Sequence, residues 1–335
     1  MKKTLLSLLS IVSIASMAQA QNVNIPDVNF KTYLLDQNSI NTDGDLLEIS
    51  VAEAEAYSGT IDVNTKSITD LTGIEAFINL KELSCINNSI TSLDLSKNVN
   101  LTGLTCSYTA LSSLDISANK ALTLLYCNGM KSLTNLNVNG ATALETLYFS
   151  SNTKITNLDL SGATALQYVE CAYNNLTSLD LSKNTSLTFL SCTSNQLTSL
   201  DTKGLTALTF LDCSYNLLTS VDISTNNALI GLHCENNQLS SLDISTITAL
   251  EYLNCSSNAN LTCIGALNAQ NKVELVKDLA AVFGESCITG TDNLMITPRK
   301  TVSNTYNLQG QMVNGDYPGL VIIKYTDGTS DKIMQ

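Results

Sequence analysis

The chain has 335 residues, 30 of them acidic and 17 basic, which gives a net charge of -13 although only 14% of residues are charged. That balance argues against nucleic acid as a partner, because backbone phosphates need a basic footprint. A single histidine, His233, excludes any mechanism built on two imidazoles, and the length alone would suit about two ordinary domains.

Residues 1–20 predict a secretory signal peptide. Met1-Lys2-Lys3 is a basic start, Leu5 to Met17 is apolar, and Ala18-Gln19-Ala20 is a small-x-small cleavage site before Gln21. No cysteine follows that site, so an N-terminal lipid anchor is not indicated, and no other stretch approaches the length of a membrane span. The expected product is exported into a compartment that permits disulfides.

Residues 21–79 read as an N-terminal cap. Pro26-Asp27 precedes an apolar-periodic run (Val28, Phe30, Tyr33, Leu34), and a second helical pattern runs from Val51 to Tyr57. Between them, Asn41-Thr42-Asp43-Gly44-Asp45 resembles a calcium loop. Counted back from Ile49 or Glu53, however, its ligands fall out of register, and no glycine holds the sixth position. Ile68, Leu71, Ile74 and Phe77 then lead at three-residue steps into Leu80.

From Leu80 the chain repeats. A leucine opens a new unit at 101, 122, 144, 166, 187, 208, 229 and 250, and each unit follows L-x-x-L-x-C-x-x-N-x-L-x-x-L-D-L. The unit at 166 reads Leu166-x-x-Val169-x-Cys171-x-x-Asn174-x-Leu176-x-x-Leu179-Asp180-Leu181. Both halves alternate as short strands do, with leucine and cysteine on one side and variable residues on the other. The predicted architecture is a β-rich solenoid of about nine turns, with parallel strand stacks spaced by about 4.8 Å around a narrow Leu/Cys core. Asn88, Asn152, Asn174, Asn195, Asn216, Asn237 and Asn258 follow the core column by three, where an amide can satisfy backbone groups as the chain turns out of the strand.

These motifs over residues 80–263 resemble leucine-rich repeats, specifically the nested 21-residue variety of bacterial proteins called IRREKO. The resemblance implies a solenoid whose usual work is binding, and it names no ligand.

Within the repeat, side chains fall into columns. Cys85, Cys106, Cys127, Cys171, Cys192, Cys213, Cys234 and Cys255 share the sixth position, with Phe149 in the fourth unit. One straight inward column cannot surround a metal, so these thiols read as small buried hydrophobes, and no cofactor or metal site is expected. Asp94, Asp115, Asp159, Asp180, Asp201, Asp222 and Asp243 form a second column, with Asn137 in the same place. Either bound calcium or solvation with hydrogen bonds from Ser92, Ser113, Ser178, Ser199, Ser220 and Ser241 would offset their repulsion.

The outward positions of the first half-repeat vary, and they carry the candidate ligand-binding face. Tyr126, Tyr148, Tyr168, Phe189 and Phe210 form an aromatic stripe, joined by Glu170, Asp212, His233 and Tyr252, with Tyr108, Tyr173 and Tyr215 just beyond the strands. Contiguous aromatics on a polar face commonly anchor a partner, although rings on adjacent strands also stabilise one another. Glu170 and Asp212 would be the paired carboxylates of a hydrolase, but no nucleophile motif accompanies them, so no enzyme activity is expected.

Residues 264–290 read as a C-terminal cap, with Val273, Val276, Ala280 and Phe283 on a helical face and Cys263 bridged to Cys287. A polar linker leads into short strands around Tyr306–Val313 and Pro318–Tyr325 and a last one at Lys332. This tail, residues 291–335, resembles the C-terminal sorting domain of the type IX secretion system of Bacteroidota. It lacks the opening Asn-Pro and ends in Gln335. The resemblance implies secretion machinery as a partner and a protein released from, or attached to, the cell surface. The reading as a whole is a secreted or surface protein that binds a protein or glycan, with a structural or matrix role as the alternative.

Overall fold

The computed structural model describes residues 21–266, 273–278 and 280–284 and, for the backbone alone, 302–307, 320–325 and 330–334. The predicted signal peptide and most of the linker lie outside these residues.

Two short helices cover the N-terminal end. Helix α1 (Val28–Leu35) begins at Asp27, whose Oδ1 accepts the N–H groups of Asn29 and Phe30 at 2.9 and 3.0 Å, and it buries Phe30 and Leu34. Helix α2 (Val51–Ala56) opens with a capping box between Ser50 and Glu53. Glu53 also reaches back into the loop that resembles a calcium site, where Oε1 accepts Thr42 N–H at 2.7 Å, Thr42 Oγ1 at 3.1 Å and Asp43 N–H at 3.2 Å. Burial alone would raise the Glu53 pKa, but the N–H groups of Ser50, Asp43 and Thr42 and the Ser50 hydroxyl hold it down at about 2. Asp43 and Asp45 are each taken up by the N–H two residues on, at 2.9 and 2.8 Å.

From residue 60 the chain winds into a parallel solenoid. The first half-repeats build one eleven-stranded sheet, from Thr60–Asp62 and Glu82–Ser84 through to Tyr252–Asn254 and Glu274–Val276, every pair parallel and in register. The expected nine strands are thus extended by one at each end. The second half-repeats pair less completely. Ser113–Asp115 pairs with Asn135–Asn137, and Ser241–Asp243 pairs with Cys263–Gly265, which pairs in turn with Val282–Gly284. Single bridges at Asp159–Asp180 and Asp201–Asp222 mark the turns between.

The core between the two columns holds the repeat leucines and the eight cysteines, all buried and free. Burial pushes the Cys85, Cys171 and Cys255 thiols up to about 12 and raises the other five as well, so they act as protonated hydrophobes. Cys263 is disulfide-bonded; its expected partner, Cys287, lies outside the described residues.

Buried asparagines tie successive turns together. Asn195 Nδ2 donates to the Cys192 carbonyl of its own turn and to the Cys171 carbonyl of the turn before, both at 3.0 Å, while its Oδ1 accepts Leu176 N–H at 3.0 Å. Asn174, Asn216, Asn237 and Asn258 bridge two turns in the same way. A second ladder, at a position the repeat consensus leaves open, consists of Asn98, Asn119, Asn184 and Asn226, whose amides donate to carbonyls of the preceding turn.

Two expectations are corrected. The helical face at Val273, Val276, Ala280 and Phe283 does not form among the described residues, which make the strands Glu274–Val276 and Val282–Gly284 instead. The last repeat leaves open strand edges, and these strands close them: Cys255 N–H donates to Val276 O, and Val282 N–H to Thr262 O, each at 2.8 Å. The aspartate column is also satisfied differently. Each carboxylate accepts the N–H two residues on, as Asp94 does from Ser96 at 2.9 Å and Asp222 from Ser224 at 3.0 Å, and Asn137 does the same from Asn139 at 3.0 Å. This is an Asx turn, so the donor is the residue after the strand, not the serine before it. The N–H and hydroxyl of that serine hold Asp94, Asp115, Asp159, Asp180 and Asp222 below the usual carboxylate range. The backbone of Val302–Asn307, Leu320–Tyr325 and Ser330–Met334 forms a separate three-stranded antiparallel sheet.

Two outcomes follow. Asn195→Ala strips a buried amide from four backbone partners and should cost about 3 kcal/mol in chemical denaturation, against about zero for the neighbouring exposed Gln196→Ala. Glu53→Gln should cost about 2 kcal/mol at neutral pH. Because the folded pKa lies below the ordinary value of 4.5, the wild-type advantage is full above pH 4.5 and shrinks as pH falls towards 2. Thermal melts at stepped pH would show the two curves converge.

Candidate ligand-binding face

The outward residues of the eleven-stranded sheet stand in two columns, because alternate residues of each three-residue strand point the same way. Tyr126 and Tyr148 occupy one column and Tyr168, Phe189 and Phe210 the other, as the strand register requires. The structure joins both into one continuous stack. Tyr126 and Tyr148 lie parallel with centroids 4.1 Å apart, and Tyr148 tilts across to Tyr168 at 4.9 Å. Phe189 follows at 4.3 Å and Phe210 at 4.9 Å, both nearly parallel to the ring before. The stack then passes to His233 at 5.4 Å and ends on Tyr252 at 4.8 Å.

All seven rings are half-buried. Gly231 makes the passage to His233 possible: a Cβ there would lie 2.8 Å from Phe210 Cδ2, so the ring rests directly over the glycine. Stacking also removes water from the phenols. Burial, then the neighbouring Tyr148, raises the pKa of Tyr126 and Tyr168, and burial with the charges of Glu235 and Glu274 raises that of Tyr252.

The polar members of the face are held by hydroxyls. Glu170 accepts from Ser150 Oγ at 3.1 Å and from the Tyr168 hydroxyl at 3.3 Å. Asp212 accepts from Ser214 N and Oγ at 3.1 and 2.6 Å and from Ser191 Oγ at 3.4 Å. Glu170 and Asp212 are two strands apart with Ser191 between them, roughly 10 Å at ordinary strand spacing. His233 is the strand neighbour of Asp212, but its ion-pair partner is Glu235, with Nδ1 3.7 Å from Oε2. Glu235 raises the histidine pKa against the opposing effect of burial, helped by the charge of Asp212. Glu235 was absent from the sequence-derived face, although it follows His233 at the two-residue step that keeps side chains on one side of a strand. Among the described residues no group of three His, Cys, Asp or Glu converges as a metal site, and no helix is long and apolar enough to cross a membrane.

No protein-family model matches the chain, and no curated protein matches it in sequence. Solved structures do match. An internalin, InlF of Listeria monocytogenes, is similar at 21% identity over 80% of each chain with a TM-score of 0.61. A leucine-rich repeat protein of Leptospira interrogans is similar at 20% identity over 68% of this chain and 67% of that one, with a TM-score of 0.56. The functional domain of InlJ from Listeria monocytogenes spans 95% of this chain and 98% of its own at 24% identity, with a TM-score of 0.48. The chain has the leucine-rich repeat fold.

One position of this leucine-rich repeat stands out beside the stack. The residue two positions after each core-column residue takes a left-handed backbone, and in most turns it is Asn, Ser or Gly (Asn87, Gly129, Ser151, Ser194, Asn236, Ser257). In three turns it is Tyr108, Tyr173 or Tyr215, with φ of 57°, 55° and 52°. A bulky side chain is disfavoured there. These tyrosines gain little from packing in return, being 60%, 61% and 54% exposed. Tyr108 lies over Gly129, where a Cβ would come within 2.4 Å of its Cε1.

Replacing Tyr215 by asparagine, as the next turn has at Asn236, should therefore stabilise the protein by about 1 kcal/mol in denaturant titration. A loss of stability instead would mean that the exposed ring makes a contribution to the fold that its exposure hides.

Proposed function

We propose that this is a secreted or cell-surface, non-enzymatic protein that recognises a protein or glycan ligand through the outward face of its eleven-stranded sheet. The observation that carries this reading is the unbroken stack from Tyr126 to Tyr252. A half-buried stack is rigid before any ligand arrives, so its edges present apolar and hydrogen-bonding surface with little ordering cost on binding. Exposed, backbone-disfavoured Tyr108, Tyr173 and Tyr215 add three further rings at its margin, and local strain kept without a packing gain is a mark of functional surface.

Export rests on the signal-like residues 1–20, and engagement of secretion machinery on the sorting-like tail 291–335. The pairing of Cys263 with Cys287 belongs to the same reading, as a seal for the open end of a core exported to an oxidising compartment.

Arrays of glycans and extracellular proteins probed with the mature chain would find the ligand class. The combined variant Tyr148→Ala, Tyr168→Ala, Phe210→Ala should then lose at least about 2 kcal/mol of binding, the scale of interface hot spots, with an unchanged far-ultraviolet circular dichroism spectrum. Full binding by a folded triple variant would make the stripe a structural feature only, and a wild-type chain that retains nothing on either array would point to a spacer or matrix role.

A further inference from the structure

We propose that the stacked face takes an extended, arginine- or lysine-bearing peptide segment whose cationic groups sit against the ring stack and between Glu170, Asp212 and Glu235. This rests on the binding role argued above and narrows it to one ligand chemistry.

Charge is unevenly distributed over the solenoid. Between residues 82 and 258 the chain has six basic residues, Lys97, Lys120, Lys131, Lys154, Lys183 and Lys203, and none lies on the first-column strands or in the turn that holds the exposed tyrosines. Several stand beside the aspartate column, where Lys97, Lys183 and Lys203 act on Asp94, Asp180 and Asp222. The strand face has the opposite makeup. It carries Glu82, Glu170, Asp212 and Glu235 with His233 as its one basic group, and Glu235 Oε2 lies 3.7 Å from His233 Nδ1. The aspartate column is thus neutralised by its own turns and lysines, whereas the acids around the rings have mostly hydroxyl neighbours.

Rings and acids also alternate on the scale of a peptide. Glu170 is one residue from Val169 on the strand of Tyr168, and Asp212 lies on the strand of Phe210, so each carboxylate stands beside a ring of the stack. A guanidinium is suited to both at once: its plane stacks on or against an aromatic ring while its edge donates to a carboxylate. Anionic ligands are repelled by the same face, and a neutral glycan would leave its charges unused.

The test is calorimetric titration of the full mature chain with a synthetic arginine–glycine repeat peptide and with its citrulline–glycine counterpart, which keeps the shape and removes the charge. The expected result is binding of the arginine peptide alone, weakened at least about tenfold on going to about 0.5 M salt. Glu170→Gln, Asp212→Asn, Glu235→Gln together should weaken it at least about tenfold, and Tyr168→Ala with Phe210→Ala likewise. Asp94→Asn, Asp180→Asn, Asp222→Asn, which removes the same charge elsewhere and keeps the turns, should leave it within about twofold. Equal binding of the citrulline peptide, or equal loss in both charge variants, overturns the cationic assignment. If the face instead binds a neutral glycan, with binding lost in the Tyr168 and Phe210 variant, the cationic inference fails while the binding role stands. If the arginine peptide binds undiminished to that variant, both fail.

Discussion

A three-residue strand is too short to satisfy the backbone of the turn that follows it, and in seven of the nine turns a buried asparagine three residues after the core residue supplies what is missing. Its amide donates to carbonyls of two successive turns and its carbonyl accepts the N–H of a third segment, as at Asn195. These contacts add to the backbone bonds that pair the parallel strands of neighbouring turns, and leaving such a buried group unpaired is costly. The exit from the strand puts the preceding residue in a left-handed conformation in turn after turn, whether asparagine, Thr109 or Met130 follows it. The position from which Tyr108, Tyr173 and Tyr215 project is therefore a by-product of how the chain leaves the strand, and only the choice of tyrosine there is free.

Stacking at strand spacing has a second consequence: whatever the sequence places at one repeat position becomes a column. Columns of like charge or like shape must then find local solutions. Aspartates do so through Asx turns, cysteines by remaining neutral thiols in the core, and aromatic rings by lying face to face. These solutions differ in what they leave over. Asx turns consume the carboxylates of the second half-repeat, whereas ring stacking leaves edges, phenols and nearby acids accessible on the first.

The period of the repeat was enough to place the strands from Glu82 to Tyr252, the leucine and cysteine columns and the role of the ladder asparagines, because stacking at fixed spacing leaves those positions no alternative. It did not reveal that Thr60–Asp62 and Glu274–Val276 extend the sheet, since neither segment carries the full motif. Steps of three and four from Val273 to Phe283 fit a helix as well as two short strands, and the open edge of the last repeat decided between them. Asn98, Asn119, Asn184 and Asn226 went unread because four of the eight complete units lack the asparagine at that position, with Ala141, Ala163, Leu205 and Ile247 there instead. On the outward face of the sheet, the aromatic residues were readable as a stripe but their arrangement was not: that two ring columns merge depends on Gly231 beneath Phe210 and on the tilt between Tyr148 and Tyr168. Glu235 as the partner of His233 followed from strand alternation and was missed only because it lies past the end of the strand.

Hydroxyl-radical footprinting of the full chain, free and saturated with the arginine–glycine peptide, reads the contact surface residue by residue. Reduced oxidation is expected at Tyr168, Phe189, Phe210, Tyr173 and Tyr215. No change is expected at Leu46, Leu47 and Val99, which are exposed elsewhere on the chain. Protection confined to Leu46, Leu47 or Val99, or an unprotected ring stack in a demonstrably saturated complex, would contradict binding at the ring stack.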